Sequence, residues 1–159
     1  MITTKSKKQK TPKESETIMT EVVCPNDTNP MGILQGGKLV QWMDIASAVC
    51  AQNHAEHICV TASIDNVLFK TPAKIGDIVT IKAKMTRTFN SSMEIFVQAW
   101  AKKVVSQKAY LINEAYFTFV AIDDNGNPAN EIIAIKPKTI DEKKQFDEAA
   151  KRKTARLKK

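Results

Sequence analysis

From Lys38 to His54 the chain runs 17 residues without a glycine or proline. Everything between Ile58 and Ile122 instead alternates in the manner of strands. This combination restricts the fold more than any other feature of the sequence. Val60, Ala62 and Ile64 alternate with Thr61, Ser63 and Asp65, and Ile78, Thr80, Lys82, Lys84 and Thr86 alternate with Val79, Ile81, Ala83 and Met85. Met93 to Val105 and Ala109 to Ile122 read as two further long strands, and Thr17 to Val23 as a short one before the helix. Lys70-Thr71-Pro72 and Ile75-Gly76-Asp77 bracket a loop, while Asn90-Ser91-Ser92 is a turn and Ser106 to Lys108 a short link joining the last three strands. Such short turns make neighbouring strands antiparallel. One helix of this length cannot cover both faces of that sheet. The expected architecture is therefore α+β, a curved antiparallel sheet wrapped around one long central helix, with a second copy covering what stays exposed.

The helix itself supports a second copy. Leu39, Trp42, Met43, Ala46, Val49 and Cys50 share one apolar face. The opposite face carries Lys38, Gln41, Asp44 and Gln52 but also Ile45, Ala48 and Ala51, too apolar for a side left wholly to water.

Composition narrows the function. The net charge of +7 comes from the ends: residues 1–13 and 151–159 hold eleven Lys and Arg and no acid, which leaves the middle slightly negative. A folded nucleic-acid-binding face is therefore not expected. Residues 1–16 read as a disordered basic tail, 17–136 as the folded domain and 137–159 as a charged helix or tail. No apolar run reaches the roughly 20 residues of a membrane span, and the N-terminus lacks the apolar stretch of a secretory signal. Cys24, Cys50 and Cys59 are odd in number and have no C-x-x-C spacing. A cytoplasmic protein without a disulfide framework or zinc site is the expectation. The His54 and His57 pair reads as solvated surface, so no metal is expected.

The most informative phrase is Pro25-Asn26-Asp27-Thr28-Asn29-Pro30-Met31-Gly32-Ile33-Leu34-Gln35-Gly36-Gly37, followed by Trp42-Met43-Asp44 in the helix. An Asn, a short spacer, a Gly-Gly pair at a helix start and an acid seven residues after the pair resemble the signature of the hotdog-fold acyl-CoA thioesterases. Phe69-Lys70-Thr71-Pro72, Gly76-Asp77, Ser91-Ser92-Met93-Glu94 and Trp100-Ala101-Lys102-Lys103-Val104 follow in the order that family has them. The resemblance covers about residues 17–128.

It implies a hotdog fold and hydrolysis of acyl-CoA to a fatty acid and CoA. It further implies a homodimer in which Asn29 works opposite the neighbour's Asp44, and an assembly of three dimers into a hexamer. Elementary chemistry fits these roles. A thioester carbonyl needs a donor that strengthens as charge builds on oxygen, and backbone N–H groups at a helix N-terminus supply one. Gly37, with Gly36 beside it, admits the carbonyl without a Cβ in the way. Asp44 can attack the carbonyl or activate water, although it lies about 10 Å along the axis from Gly37. Asn29 is expected to position water or the carbonyl. Lys70, Lys102 and Lys103 are candidate partners for the CoA phosphates, Ser91 and Ser92 for the pyrophosphate, and Gln35 lines the site. CoA belongs to substrate and product, so no separate cofactor is expected.

There are departures. The family often has His or an aromatic where Gln35 stands, and Gln35 cannot serve as a base. Asp27-Thr28-Asn29-Pro30-Met31-Gly32 also echoes the D-x-N-P-x-H motif of hotdog enoyl-CoA hydratases, with Gly32 in place of the His. A hydratase, and a non-catalytic acyl-CoA-binding module, are the alternatives.

Overall fold

The computed structural model describes residues 7–159. Its main helix, α2 (Gly36–Ala55), is longer than the sequence reading at both ends. Gln35, in extended conformation, precedes it, and the left-handed Glu56 (φ 56°) ends it by donating its N–H to the Gln52 carbonyl. Before it come a short β1 (Gln9–Lys10), a one-turn α1 (Pro12–Ser15) and β2 (Thr17–Val22). After it run β3 (Ile58–Phe69), β4 (Ile78–Thr88), β5 (Ser92–Lys102), β6 (Ala109–Ile122), β7 (Ala134–Ile135) and α3 (Ile140–Leu157).

The five long strands form one antiparallel sheet in the order β2-β4-β5-β6-β3. The alternation decides which face meets the helix. Ile81, Met93, Ile95, Val97, Phe117 and Phe119 are at most 1% exposed and point to the inner face, with Met43, Ala46 and Cys50 of α2 equally enclosed. At about 1.5–3 kcal/mol for each large apolar side chain, this shared core holds helix to sheet. It is the hotdog architecture.

Two helix positions differ from the sequence reading. Val49, assigned to the core face, is 40% exposed, and Ala51, assigned to the opposite face, is fully buried. The sheet curls around α2, so the covered sector is rotated towards Ala51. Ile45 and Val49 form an uncovered apolar stripe one turn apart, beside the exposed Ile58, Val60, Leu68 and Phe69 of the edge strand β3.

The tails also need correction. Of the stretch read as disordered, residues 1–6 lie outside the described residues. Residues 7–16 are ordered: β1 pairs in parallel with β7, and Ser15 is buried, its hydroxyl 3.3 Å from His54 Nδ1. His54, read as surface, is therefore a core residue, with Nε2 2.9 Å from the Ile133 carbonyl oxygen. Strand β5 stops at Lys102, short of Val105, because Lys103 to Gln107 turn, with Gln107 in the left-handed region (φ 57°).

Of the two options for the C-terminus, the structure has the helix. Thr139 caps α3 by accepting from the Glu142 N–H at 3.1 Å. The helix lies across the outer face of the sheet. Its Arg152 forks onto Glu94, which is 1% exposed, with contacts of 2.7, 3.0 and 3.2 Å. No helix among the described residues is long and apolar enough to cross a membrane, and no cluster of His, Cys, Asp and Glu there could hold a metal ion.

Candidate active site

The loop before α2 is folded largely by its own side chains. Asp27 Oδ2 accepts from the Cys24 N–H at 2.9 Å. Asn29 Oδ1 accepts from the Met31 and Ile33 N–H groups at 2.9 and 3.2 Å. The oxygen of Asn29 thus builds the turn, and its amide N–H groups make no hydrogen bond among the described residues. Gln35 Nε2 donates to the Thr28 carbonyl at 2.9 Å, which ties the end of the loop to its start.

The two glycines differ in what surrounds them. A Cβ at Gly36 would lie 3.0 Å from the Phe69 ring, so Gly36 is there for packing. A Cβ at Gly37 would meet nothing within 4 Å. As a first-turn residue it has an N–H without an intrahelical acceptor. An apolar cavity of about 130 Å³ lies next to this end, lined by Ile33, Leu39, Phe69, Pro72 and Ile112 among others.

Two turns further along α2, Asp44 is half-buried and its Oδ1 accepts from the Thr61 hydroxyl at 2.7 Å. The sequence reading missed Thr61 because simple alternation put it on the same face as Ser63 and Asp65. A bulge between Thr61 and Ser63 changes the phase. Thr61 pairs with the inward-facing Phe119, and Asp65 pairs with Tyr116, whose hydroxyl meets Gln145 of α3 on the outer face. The signal available beforehand was a hydroxyl residue on the strand expected to return along the helix. No hydrogen bond joins Asn29 to Asp44 within the chain among the described residues.

The expected phosphate contacts divide between two ends of the sheet. Lys70 lies 3.4 Å from Glu114, and Lys103 lies 3.6 Å from Asp77, at the glycine end of α2. Asp77 also accepts from the Tyr110 hydroxyl at 3.0 Å, and burial, then this carboxylate, push the Tyr110 pKa up to about 12. Lys102 makes no ion pair among the described residues. Ser91 and Ser92 stand at the opposite end of β5, about 33 Å away at about 3.3 Å per residue. In one chain the lysines and serines do not form a single patch.

The sequence and the fold both match known proteins. A thioesterase superfamily model matches residues 31–106. An acyl-CoA thioester hydrolase of Bacillus subtilis is 35% identical over 130 residues, which are 82% of this chain and 75% of that protein. The chain belongs to the hotdog acyl-CoA thioesterase family. Mouse acyl-coenzyme A thioesterase 11 is 36% identical over 143 residues, 90% of this chain but 24% of that protein. The chain thus spans about a quarter of the length of that larger thioesterase.

Among solved structures, an apo-hexameric acyl-CoA thioesterase superposes with a TM-score of 0.91 at 35% identity, covering 95% of this chain and 96% of the other. A Staphylococcus aureus acyl-CoA hydrolase in complex with butyryl coenzyme A, coenzyme A and coenzyme A disulfide gives a TM-score of 0.85 at 36% identity, over 94% and 93%. That thioesterase has also been solved as variants in which an aspartate, a threonine or an asparagine is replaced by alanine.

Proposed function

We propose that this thioesterase family member hydrolyses acyl-CoA to a free acid and CoA. The observation that carries the reading is the Asp44–Thr61 pair, a half-buried carboxylate held by an exposed strand hydroxyl, two turns into a helix that opens on Gly37, where a side chain would meet nothing. In this reading the Gly37 N–H polarises the thioester carbonyl. Thr61 fixes one oxygen of Asp44 and leaves the other to work. Asp44 takes the proton of a water that attacks the carbonyl carbon, or attacks that carbon itself to form an anhydride that water then hydrolyses. By either route the C–S bond breaks and CoA leaves as the thiol. Asn29 uses its free amide N–H groups to hold the water or the carbonyl. The aspartate, threonine and asparagine replaced in the S. aureus enzyme are the same three residue types. The reaction so written needs only acyl-CoA and water, and no further cofactor.

The uncovered stripe of Ile45 and Val49 and the open edge of β3 support a homodimer with shared sites. There Asn29 of one copy faces Asp44 of the other. The hexameric relative supports a trimer of such dimers. Three unpaired cysteines agree with a cytoplasmic setting. Neither nucleic acid nor a membrane is a partner in this reading.

The decisive experiment is thiol release from a panel of acyl-CoAs, with crotonyl-CoA included to detect hydration. Mixed Asp44→Ala and Asn29→Ala subunits are expected to regain activity, since one site of the mixed dimer is intact. No recovery after proven subunit exchange would sink the shared site. Absence of hydrolysis with every acyl-CoA would sink the reading itself. Single turnover in ¹⁸O-water separates the two roles of Asp44, because only a nucleophilic carboxylate acquires and exchanges label.

A further inference from the structure

Most polar side chains that the fold encloses are paired. Asn113 of β6 is not. It is fully buried, and among the described residues neither its amide oxygen nor its amide nitrogen has a hydrogen-bond partner. Burying an amide unpaired costs stability that leucine, of nearly the same shape, would not lose. Ser63, Arg87, Trp100 and Thr118 also carry an enclosed polar atom without a partner. All four stand on the outer face of the sheet. Arg87 meets Phe146 of α3, Thr118 pairs with Ser63 and with the Glu94 that Arg152 grips, and Trp100 stands between the inward Ala99 and Ala101.

Asn113 instead faces the helix. It continues the inward row of Ala115, Phe117 and Phe119. Its ladder partners are Ala99 and Phe69, and the Phe69 ring lies against Gly36 of α2. A bulge opposite Ala99 and Trp100 adds Ile112 to β6 just before it. Phe69 and Ile112 line the apolar cavity of about 130 Å³ at the glycine end. The unpaired amide therefore adjoins the wall of that cavity. Gly36, on which Phe69 rests, precedes the Gly37 whose N–H holds the carbonyl in the proposed reading. At about 30 Å³ for a group the size of a water molecule, the cavity admits roughly four such groups, a short acyl chain.

We propose that Asn113 is a specificity residue of the acyl site and selects short chains with an oxygen on the third carbon, the 3-hydroxyacyl and 3-oxoacyl class. The inference rests on the acyl-CoA reading above and names its substrate class. The third carbon is the first that lies clear of the carbonyl and its donor. A hydroxyl there donates to the Asn113 amide oxygen or accepts from its N–H, and an oxo group accepts from the N–H. A plain alkyl chain leaves the amide as unpaired as before, so the discrimination falls on this residue. A turn of the Phe69 ring, which is 59% exposed, opens the amide to the cavity.

The test measures kcat/KM of the full chain on butyryl-CoA, both enantiomers of 3-hydroxybutyryl-CoA, and acetoacetyl-CoA. The wild type is expected to favour at least one oxygenated chain over butyryl by about tenfold or more, the scale of a hydrogen bond to a buried amide. Asn113→Leu is expected to remove that preference, to hydrolyse butyryl-CoA at least as well, and to keep or raise the unfolding midpoint. Should Asn113→Leu fail to fold, Asn113→Val, apolar and smaller, carries the same comparison. No preference in the wild type, or one that persists in the apolar variant, overturns the proposal. An equal loss on every substrate also overturns it and leaves Asn113 a structural residue. If the wild type hydrolyses none of the thioesters, the hydrolase reading has failed. Calorimetry with the intact thioesters then tests the site separately: tighter binding of an oxygenated chain that Asn113→Leu abolishes supports it, and equal binding of oxygenated and plain chains rejects it.

Discussion

The two ends of the sheet carry similar numbers of cations and treat them differently. At the glycine end, Lys70 and Lys103 spend their charge on Glu114 and Asp77. At the turn end, Arg87 and Lys153 are left facing each other across Phe89 with two serine hydroxyls beside them. A lysine close to a site is therefore a weak sign of phosphate binding. In the proposed reading the glycine end supplies the carbonyl donor, with Asp44–Thr61 two turns along α2.

The largest expected effect tests that pair. Asp44→Ala is expected to lower kcat by about 10²–10⁴-fold, the contribution of a general base, and to leave CoA affinity intact, measured by stopped assays and calorimetry. A loss under tenfold would move the chemistry to the glycine end alone.

The next concerns the contact that docks α3 on the sheet. Arg152→Ala leaves the Glu94 carboxylate buried without its partner, a loss of about 3–5 kcal/mol, read as a lower midpoint of thermal or denaturant unfolding. Arg152→Met with Glu94→Gln is expected to recover most of the stability.

A smaller effect separates the glycines. Gly36→Ala forces the Phe69 ring to shift and is expected to cost about 1–3 kcal/mol. Gly37→Ala is expected to keep or slightly raise stability, by up to about 1 kcal/mol, and to slow hydrolysis. Equal stability losses at both positions would remove the distinction drawn between them. The triple change of Lys70, Lys102 and Lys103 to Ala is expected to weaken CoA binding less than about tenfold by calorimetry, because Lys70 and Lys103 already face Glu114 and Asp77, and a larger loss would show that these lysines carry the phosphates.

The smallest effect is a titration at the turn end. Burial lowers the His54 pKa from its ordinary 6.5. The unfolded chain therefore binds this proton more readily than the folded one. His54 takes nothing from stability above about pH 7. Below its ordinary value of 6.5 the folded state loses stability with each step down, until its own lowered pKa is reached. Unfolding midpoints between pH 5 and pH 8, roughly the range in which histidine titrates, are expected to show this slope, and His54→Gln to flatten it.

How much of this was legible in the residues depends on the range of the interaction involved. The helix from its glycine pair, the alternation along the strands and the turn chemistry at Asn90-Ser91-Ser92 are local, and the periodicities carry them, whereas the pairing of β3 with β6 is long-range. The motif ordering was enough to suggest the family, and Asp44 stands on the helix as expected. Thr61 was hidden because its direction depends on a bulge, and a bulge is set by pairing with β6 some 60 residues on, not by Thr61 and its neighbours. The separation of Ser91 and Ser92 from Lys102 and Lys103 needed the length of an unbroken β5. His54 became a core residue only when Ser15 and Ile133, far from it in sequence, closed around it. The same holds for Lys153. The sequence by itself determined that the C-terminus is basic and can form a helix. Where Lys153 stands was decided by the docking of Arg152 on Glu94, a long-range contact whose geometry exists only after the sheet has formed.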